Sequence, residues 1–226
     1  MVIESKAVIP WGRSFEEYAQ MFNLSETDLS QRIIGCGDGP ASFNKGMKDR
    51  GYQVVSCDPV YNLSKAQIAN RIWETQNEVR RRVRQNPDHD HWTGVSSPDA
   101  LIALRTAVMD EFLADYESGT AEGRYLPYGL PHFPFGDGEF ALALCSHFLF
   151  LFSSLGYNFH LAAVLEMTRV ARETRIFPLV DIDSAPSAWL GPVMRELARR
   201  GYQAEICDVP YHLQRNANQM LRIQTN

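Results

Sequence analysis

The chain has 226 residues, which suits one α/β domain or a domain with a modest insertion. At 45% hydrophobic and 22% charged residues it has the composition of a globular protein, which excludes a disordered or fibrous chain. Its net charge of −5 at pH 7 does not suggest a dedicated nucleic-acid binder.

In chain order, Met1-Val2-Ile3-Glu4-Ser5-Lys6 lacks the apolar core of a signal peptide. Ser14-Phe15-Glu16-Glu17 reads as a capping box opening a short helix through Phe22, and Ser25 starts another turn. Arg32-Ile33-Ile34 is a strand entering the glycine loop Gly35-Cys36-Gly37-Asp38-Gly39. Pro40 is then expected as the first residue of a helix that stops at Gly51. Gln53 to Cys57 is a second strand, ending in Asp58-Pro59. Ser64 caps a long helix with Ala69, Ile72, Trp73, Val79 and Val83 on its apolar side. Asn86 to His91 breaks it. Ser97 opens a further helix, with Leu101, Leu104, Val108 and Phe112 on one side, and Gly119 to Gly123 is a loop.

Arg124-Tyr125-Leu126 is a weak third strand. Phe140 to Cys145 does not alternate and is expected to be a fourth strand buried on both faces. The stretch Ala141 to Leu155 is shorter than the about 18 residues of a membrane span, so no membrane partner is expected. Leu161 to Thr168 marks a helix and Arg175 to Val180 a fifth strand. Trp189 to Leu197 marks a helix closing at Gly201, and Ala204 to Val209 and Met220 to Gln224 form a terminal antiparallel pair. Alternating strands and helices imply a doubly wound, mostly parallel sheet with helices on both faces. The distance from Asp58 to Arg124 exceeds one crossover, so a helical insertion, Asn86 to Glu122, is placed between the second and third strands.

In such sheets ligands bind at the carboxyl ends of the strands. Three segments are expected to converge there: the glycine loop, Asp58, and Cys145-Ser146-His147-Phe148. The helix after the loop is expected to offer free amides to an anion. An acid about 20 residues past a glycine loop suits a ribose diol. A dinucleotide fingerprint is incomplete, because Pro40 or Ser42 stands where its last glycine belongs.

These pieces, with Leu130-Pro131-His132-Phe133-Pro134-Phe135-Gly136-Asp137-Gly138-Glu139-Phe140 running into the fourth strand, resemble class I S-adenosylmethionine-dependent methyltransferases. The resemblance covers Gln31 to Val180 well. It implies a single Rossmann-like domain of seven strands over residues 1–226, with residues 1–30 as a helical extension and 86–122 as a lid or acceptor platform. It also implies S-adenosylmethionine as cofactor and S-adenosylhomocysteine as product; a small-molecule acceptor is favoured, because Cys145-Ser146-His147-Phe148 stands where a nucleic-acid amino-methyltransferase carries its Asn/Asp-Pro-Pro-Tyr/Phe signature. By position, Gly35, Cys36, Gly37, Asp38 and Gly39 would border the methionine moiety. Asp58 and Pro59 would meet the ribose, Tyr128, Gly129 and Leu130 the adenine, and Ser146 the sulfonium. His147 is the candidate base, its structural alternative being a histidine hydrogen-bonded under the following helix; His132 is a weaker candidate. The family's acid two residues before the first glycine is replaced by Ile33, and Asp38 is the available substitute. An NAD(P)-dependent oxidoreductase and a non-catalytic protein keeping the fold are the alternatives.

Other features read as structural. Asp88-His89-Asp90-His91 is taken as a solvated loop, so no metal is expected. Arg80-Arg81-Arg82 and Arg84 read as a solvated helix face. Tyr61 and Lys65 match a dehydrogenase Tyr-x-x-x-Lys pair only by coincidence. Cys36, Cys57, Cys145 and Cys207 lack CxxC spacing and read as single thiols in a reducing compartment, which points to the cytoplasm. Finally, Arg50-Gly51-Tyr52-Gln53 to Tyr61 reappears as Arg200-Gly201-Tyr202-Gln203 to Tyr211. Asp58 is expected to face the cofactor, and Asp208 to be structural.

Overall fold

The computed structural model describes residues 11–85, 97–211 and 216–225. Ser14 accepts from the amide of Glu17, whose carboxylate returns to the Ser14 amide, and this box opens α1 (Phe15–Met21). Ser25 and Asp28 repeat the device at α2 (Glu26–Leu29). Then β1 (Ile33–Cys36) enters the glycine loop, and α3 (Phe43–Asp49) leads through Gly51, at φ +79°, to β2 (Val54–Cys57). Ser64 and Gln67 bond reciprocally where α4 (Lys65–Gln85) begins. Ser97 caps α5 (Pro98–Ala121), which is followed by β3 (Tyr125–Leu126) and β4 (Phe140–Ser146). The chain ends with α6 (Gly156–Val170), β5 (Ala171–Phe177), α7 (Leu190–Arg199), β6 (Gln203–Asp208) and β7 (Gln219–Gln224).

The strands form one sheet in the order β3-β2-β1-β4-β5-β7-β6. All pairings are parallel except those of β7, which runs antiparallel between β5 and β6. Alternation along β1 and β4 divides their side chains between two cores. Ile34, Ala143 and Cys145 meet Val164 and Met167 of α6 and Val193 and Leu197 of α7. Ile33, Leu142 and Leu144 meet Tyr18 and Met21 of α1 and Phe43 and Met47 of α3. The α4–α5 insertion between β2 and β3 adds a third cluster, with Tyr61, Ile68, Ile72, Phe112, Tyr116 and Tyr125. This is the doubly wound, mostly parallel architecture expected from the sequence. Among the described residues no helix is long and apolar enough to cross a membrane.

Several local expectations need correction. Helix α3 starts at Phe43, not Pro40, because the loop is tied to the N-terminal segment. The Ser42 amide donates to the Arg13 carbonyl at 3.1 Å, and a Cβ on Gly12 would stand 2.1 Å from the Pro40 carbonyl oxygen. Gly119 lies inside α5 rather than in a loop, because only a glycine admits the Tyr125 ring there; a Cβ would stand 2.3 Å from it. Trp73 and Leu104 are exposed, at 64% and 41%, whereas Ile68, Ile72, Leu101 and Phe112 carry the buried stripes. β5 starts and ends earlier than expected. Its charged residues are carried in the strand by ion pairs of Glu173 with Arg175 and Arg222, and it stops before Pro178, which has no amide to give the ladder. The Asp88-His89-Asp90-His91 segment lies outside the described residues.

Candidate functional site at the carboxyl ends of the strands

The glycine loop, the end of β2 and the end of β4 do converge. The Gly37 amide donates to Cys57 O at 2.8 Å, and the Gly39 amide donates to Asp58 Oδ2 at 2.9 Å. Asp58 Oδ1 accepts from Val60 N at 2.8 Å, capping the 3-10 turn Pro59–Asn62. The carboxylate is therefore fixed by two backbone amides. Burial pushes its pKa up, partly offset by those two hydrogen bonds. Gly39, at φ +53°, faces nothing closer than Asp58 Oδ2 at 3.9 Å, so the backbone stays open beside that carboxylate.

The other two loop glycines are covered by their own chain. A Cβ on Gly37 would meet the Phe148 ring at 3.0 Å, and one on Gly35 would stand 1.8 Å from Asp38 Oδ2. Asp38 therefore folds back so that its carboxyl takes the place of a side chain at Gly35. It accepts from Tyr18 Oη at 2.8 Å and Ser56 Oγ at 2.6 Å. Ser56 in turn accepts from Asn44 Nδ2, and Asn44 Oδ1 accepts from Arg124. Burial drives the Asp38 carboxyl up to about 6, although both hydroxyl donors oppose the shift. A carboxyl thus stands at the end of β1 despite Ile33, delivered from the loop. Cys36 meets the site only through its backbone, since its thiol is in the core, where burial pushes its pKa well up. Among the described residues no group of His, Cys, Asp and Glu is arranged to hold a metal ion.

Pro59 packs against Gly129, where a Cβ would stand 2.7 Å from the proline ring. Next to them Tyr128 is 40% exposed and meets Phe135 edge-on at 6.2 Å, while Leu130 packs against the core. These residues make an apolar shelf beside Asp58. His132 is exposed in the same turn and lies in a bridge with Gly129. Tyr61 is buried; its hydroxyl donates to Gly39 O at 2.7 Å and so braces the loop, while Lys65 pairs loosely with Glu117.

Ser146 ends β4, and His147 follows with φ +51° and its amide bonded to Phe177 O. The imidazole Nδ1 lies 2.9 Å from Ser146 Oγ, whose hydroxyl donates to Met21 Sδ at 3.8 Å. The direction of the Ser146–Nδ1 hydrogen bond follows the imidazole tautomer. Nε2 is buried without a partner. Burial, then the charges of Arg13 and Arg105, hold the imidazole well below its usual pKa, so it is neutral at pH 7.

Sequence reasoning missed the polar cluster around this histidine. Arg105 is fully buried on α5 and grips Glu17 with two hydrogen bonds of 2.6 Å. Tyr211, just after β6, donates to Glu17 at 2.9 Å and sets its ring edge-on to His147. Burial pushes Glu17 up, but hydrogen bonding and charge from Arg105 outweigh it and hold the carboxylate below its ordinary range. One signal was visible: Arg105 falls on the stripe of Leu101, Met109 and Phe112, and a cation there needs a buried partner.

No protein-family model matches the chain. Solved structures with related backbones include a SAM-dependent methyltransferase from Aquifex aeolicus, 12% identical with a TM-score of 0.43, covering 97% of this chain and 92% of that one. The methyltransferase domain of bacterial CtHen1-CN is 10% identical with a TM-score of 0.47, covering 88% and 93%. Both scores lie below 0.5, so the strand order of the sheet itself, with β7 antiparallel between β5 and β6, identifies the class I methyltransferase-like fold. At the sequence level the chain is 30% identical over 221 residues to the uncharacterised protein MJ0045 of Methanocaldococcus jannaschii. That match covers 97% of each chain, and the chain belongs to the family of MJ0045.

Proposed function

We propose that the chain is a methyltransferase that uses S-adenosylmethionine and a small-molecule acceptor. The observation that carries this reading is the Asp58 carboxylate, fixed by the Gly39 and Val60 amides beside an open Gly39 and the Pro59–Gly129 shelf. When bound, S-adenosylmethionine supplies an electrophilic methyl group on a sulfonium. The residues fit that molecule at three points. Each Asp58 oxygen accepts one amide and keeps a lone pair, enough for two ribose hydroxyls. Tyr128, Gly129, Leu130 and Pro59 give the adenine an apolar surface. Asp38, at the end of β1, offers a carboxyl to the methionine ammonium.

His147 is assigned as the base. Its imidazole is neutral, and in the tautomer with the proton on Nδ1, donated to Ser146, the buried and unpartnered Nε2 carries the lone pair that takes a proton from an oxygen or nitrogen acceptor. The rest of the protein's contribution is to hold the acceptor in line, and the α4–α5 insertion, which delivers Arg105 beside His147, is the acceptor platform. A pyrophosphate-bearing dinucleotide fits less well. Pro40 and Ser42 replace the close-packing glycine, and the Ser42 amide, which such a ligand would need at the start of α3, already serves Arg13 O.

Isothermal titration with S-adenosylhomocysteine tests the reading. Saturable binding is expected for the wild type, and Asp58→Ala should weaken it at least about tenfold, as loss of hydrogen bonds to a charged group implies. No binding to the wild type refutes the cofactor, and equal binding by the variant refutes the ribose role of Asp58.

A further inference from the structure

Two buried guanidinium groups lie beside His147. Arg13 is 6% exposed and Arg105 0%, extreme values for guanidinium groups. Arg105 is matched by Glu17. Arg13 is not. Its hydrogen bonds go to the carbonyls of Trp11 and Gly12, and among the described residues no carboxylate stands within ion-pair distance of it. Burial and the nearby charge of Arg105 both push its pKa down.

The cluster therefore holds two cations and one anion, with His147 neutral and Tyr211 kept protonated by burial. One positive charge is left over in a place where an unpaired charge is strongly unfavourable. A second, independent observation points to the same spot. The Nε–H donors of Arg13 and Arg105 are both buried without a hydrogen-bond partner. Buried polar groups are normally satisfied, and two orphan donors on neighbouring arginines mark a place for an acceptor-rich ligand. The rings of Phe177 and Tyr211 stand around His147, with centroids at 5.3 and 6.3 Å, and offer that ligand an apolar wall.

We propose that this cluster binds a carboxylate of the methyl acceptor, with Arg13 as its ion-pair partner and Arg105 alongside. The word acceptor rests on the methyltransferase reading; the anion site does not. A carboxylate fits better than a phosphate because a single residual charge matches a monoanion, and because a planar guanidinium pairs with a planar carboxylate through two hydrogen bonds.

The test is thermal unfolding of the full chain at constant ionic strength, with benzoate as probe and benzamide as its neutral isostere. Benzoate at roughly ten times its Kd should raise the Tm of the wild type by about 3–6 °C, and benzamide should not. Arg13→Gln should keep or raise the Tm without benzoate and lose the benzoate shift, whereas a merely structural arginine would lose stability when replaced. Arg13→Lys, which keeps the charge but not the fork, should retain less than half of the shift and carries the test if the glutamine variant does not fold. An absent wild-type shift, an equal shift with benzamide or in the variants, or a larger shift with inorganic phosphate overturns the proposal. Titration of the same wild-type sample with S-adenosylhomocysteine separates the two readings. Cofactor binding without a benzoate response sinks the carboxylate site alone. A benzoate response without cofactor binding sinks the methyltransferase reading and leaves the anion site standing.

Discussion

Asp38→Asn should make the protein less stable in acid and more stable above neutrality. In the fold the Asp38 carboxyl is raised from 3.8 to about 6 by burial. A folded-state pKa above the unfolded one means that the neutral form is favoured on folding. The associated stability is present in full below about pH 4 and is lost as the pH rises through about 6. A shift of about two units corresponds to about 3 kcal/mol between the two ends of that window. Asparagine never ionises and escapes the loss. It has a cost of its own, because Ser56 Oγ already accepts from Asn44 Nδ2 and its hydroxyl proton loses the carboxylate that received it. One such hydrogen bond is worth about 1 kcal/mol. Urea unfolding should therefore find the variant about 1 kcal/mol less stable near pH 3 and about 2 kcal/mol more stable near pH 8, with the curves crossing between about pH 4 and 5. A stability difference constant to within about 0.5 kcal/mol over that range would refute the claim that Asp38 is buried against its ionised form.

Two further substitutions test the frame that holds the site. Gly119→Ala puts a methyl group 2.3 Å from the Tyr125 ring and 2.8 Å from Arg124, so it should cost about 1–3 kcal/mol and lower the Tm by several degrees in calorimetry. An unchanged Tm would mean that α5 and β3 are not packed as closely as described. Glu17→Gln leaves Arg105 buried without its anion and should cost about 3–5 kcal/mol in urea unfolding. A loss below about 1 kcal/mol would show that Glu17 matters only as a helix cap.

The parts of the fold legible in the sequence were those written in local chemistry. Ser14 and Glu17, Ser25 and Asp28, and Ser97 each announce a helix start because their side chains satisfy amides a few residues away. The unalternating run Phe140 to Cys145 announces a central strand because both of its faces are covered. What was not legible depends on groups distant in the chain. Pro40 has the local form of a helix start, but Gly12 and Arg13 claim the loop that follows. Trp73 and Leu104 keep helical spacing with buried neighbours, yet lie beyond the edge of the stripe that the other helix covers. Glu17 reads fully as a capping residue, and nothing local says that the same carboxylate also neutralises an arginine 88 residues away.

The repeated segment makes the same point about the site. Both copies have a left-handed glycine, a strand, an aspartate at the strand end, and a tyrosine three residues on. Judged by sequence, the aspartates are the equivalent pair. In the sheet they are not. Asp58 ends an inner strand facing the glycine loop, whereas Asp208 ends the edge strand and accepts from Gln219. The tyrosines are the pair with corresponding work. Tyr61 is buried and holds the Gly39 carbonyl on the side we assign to the cofactor. Tyr211 is buried and holds Glu17, and through it Arg105, on the side we assign to the acceptor. A strand ending in the interior of a parallel sheet leaves its last carboxylate half-shielded and able to select a ligand, and an edge strand leaves the same residue to solvent. Local sequence therefore supplies the turn, but position in the sheet decides which aspartate lies against the glycine loop and which is left to solvent.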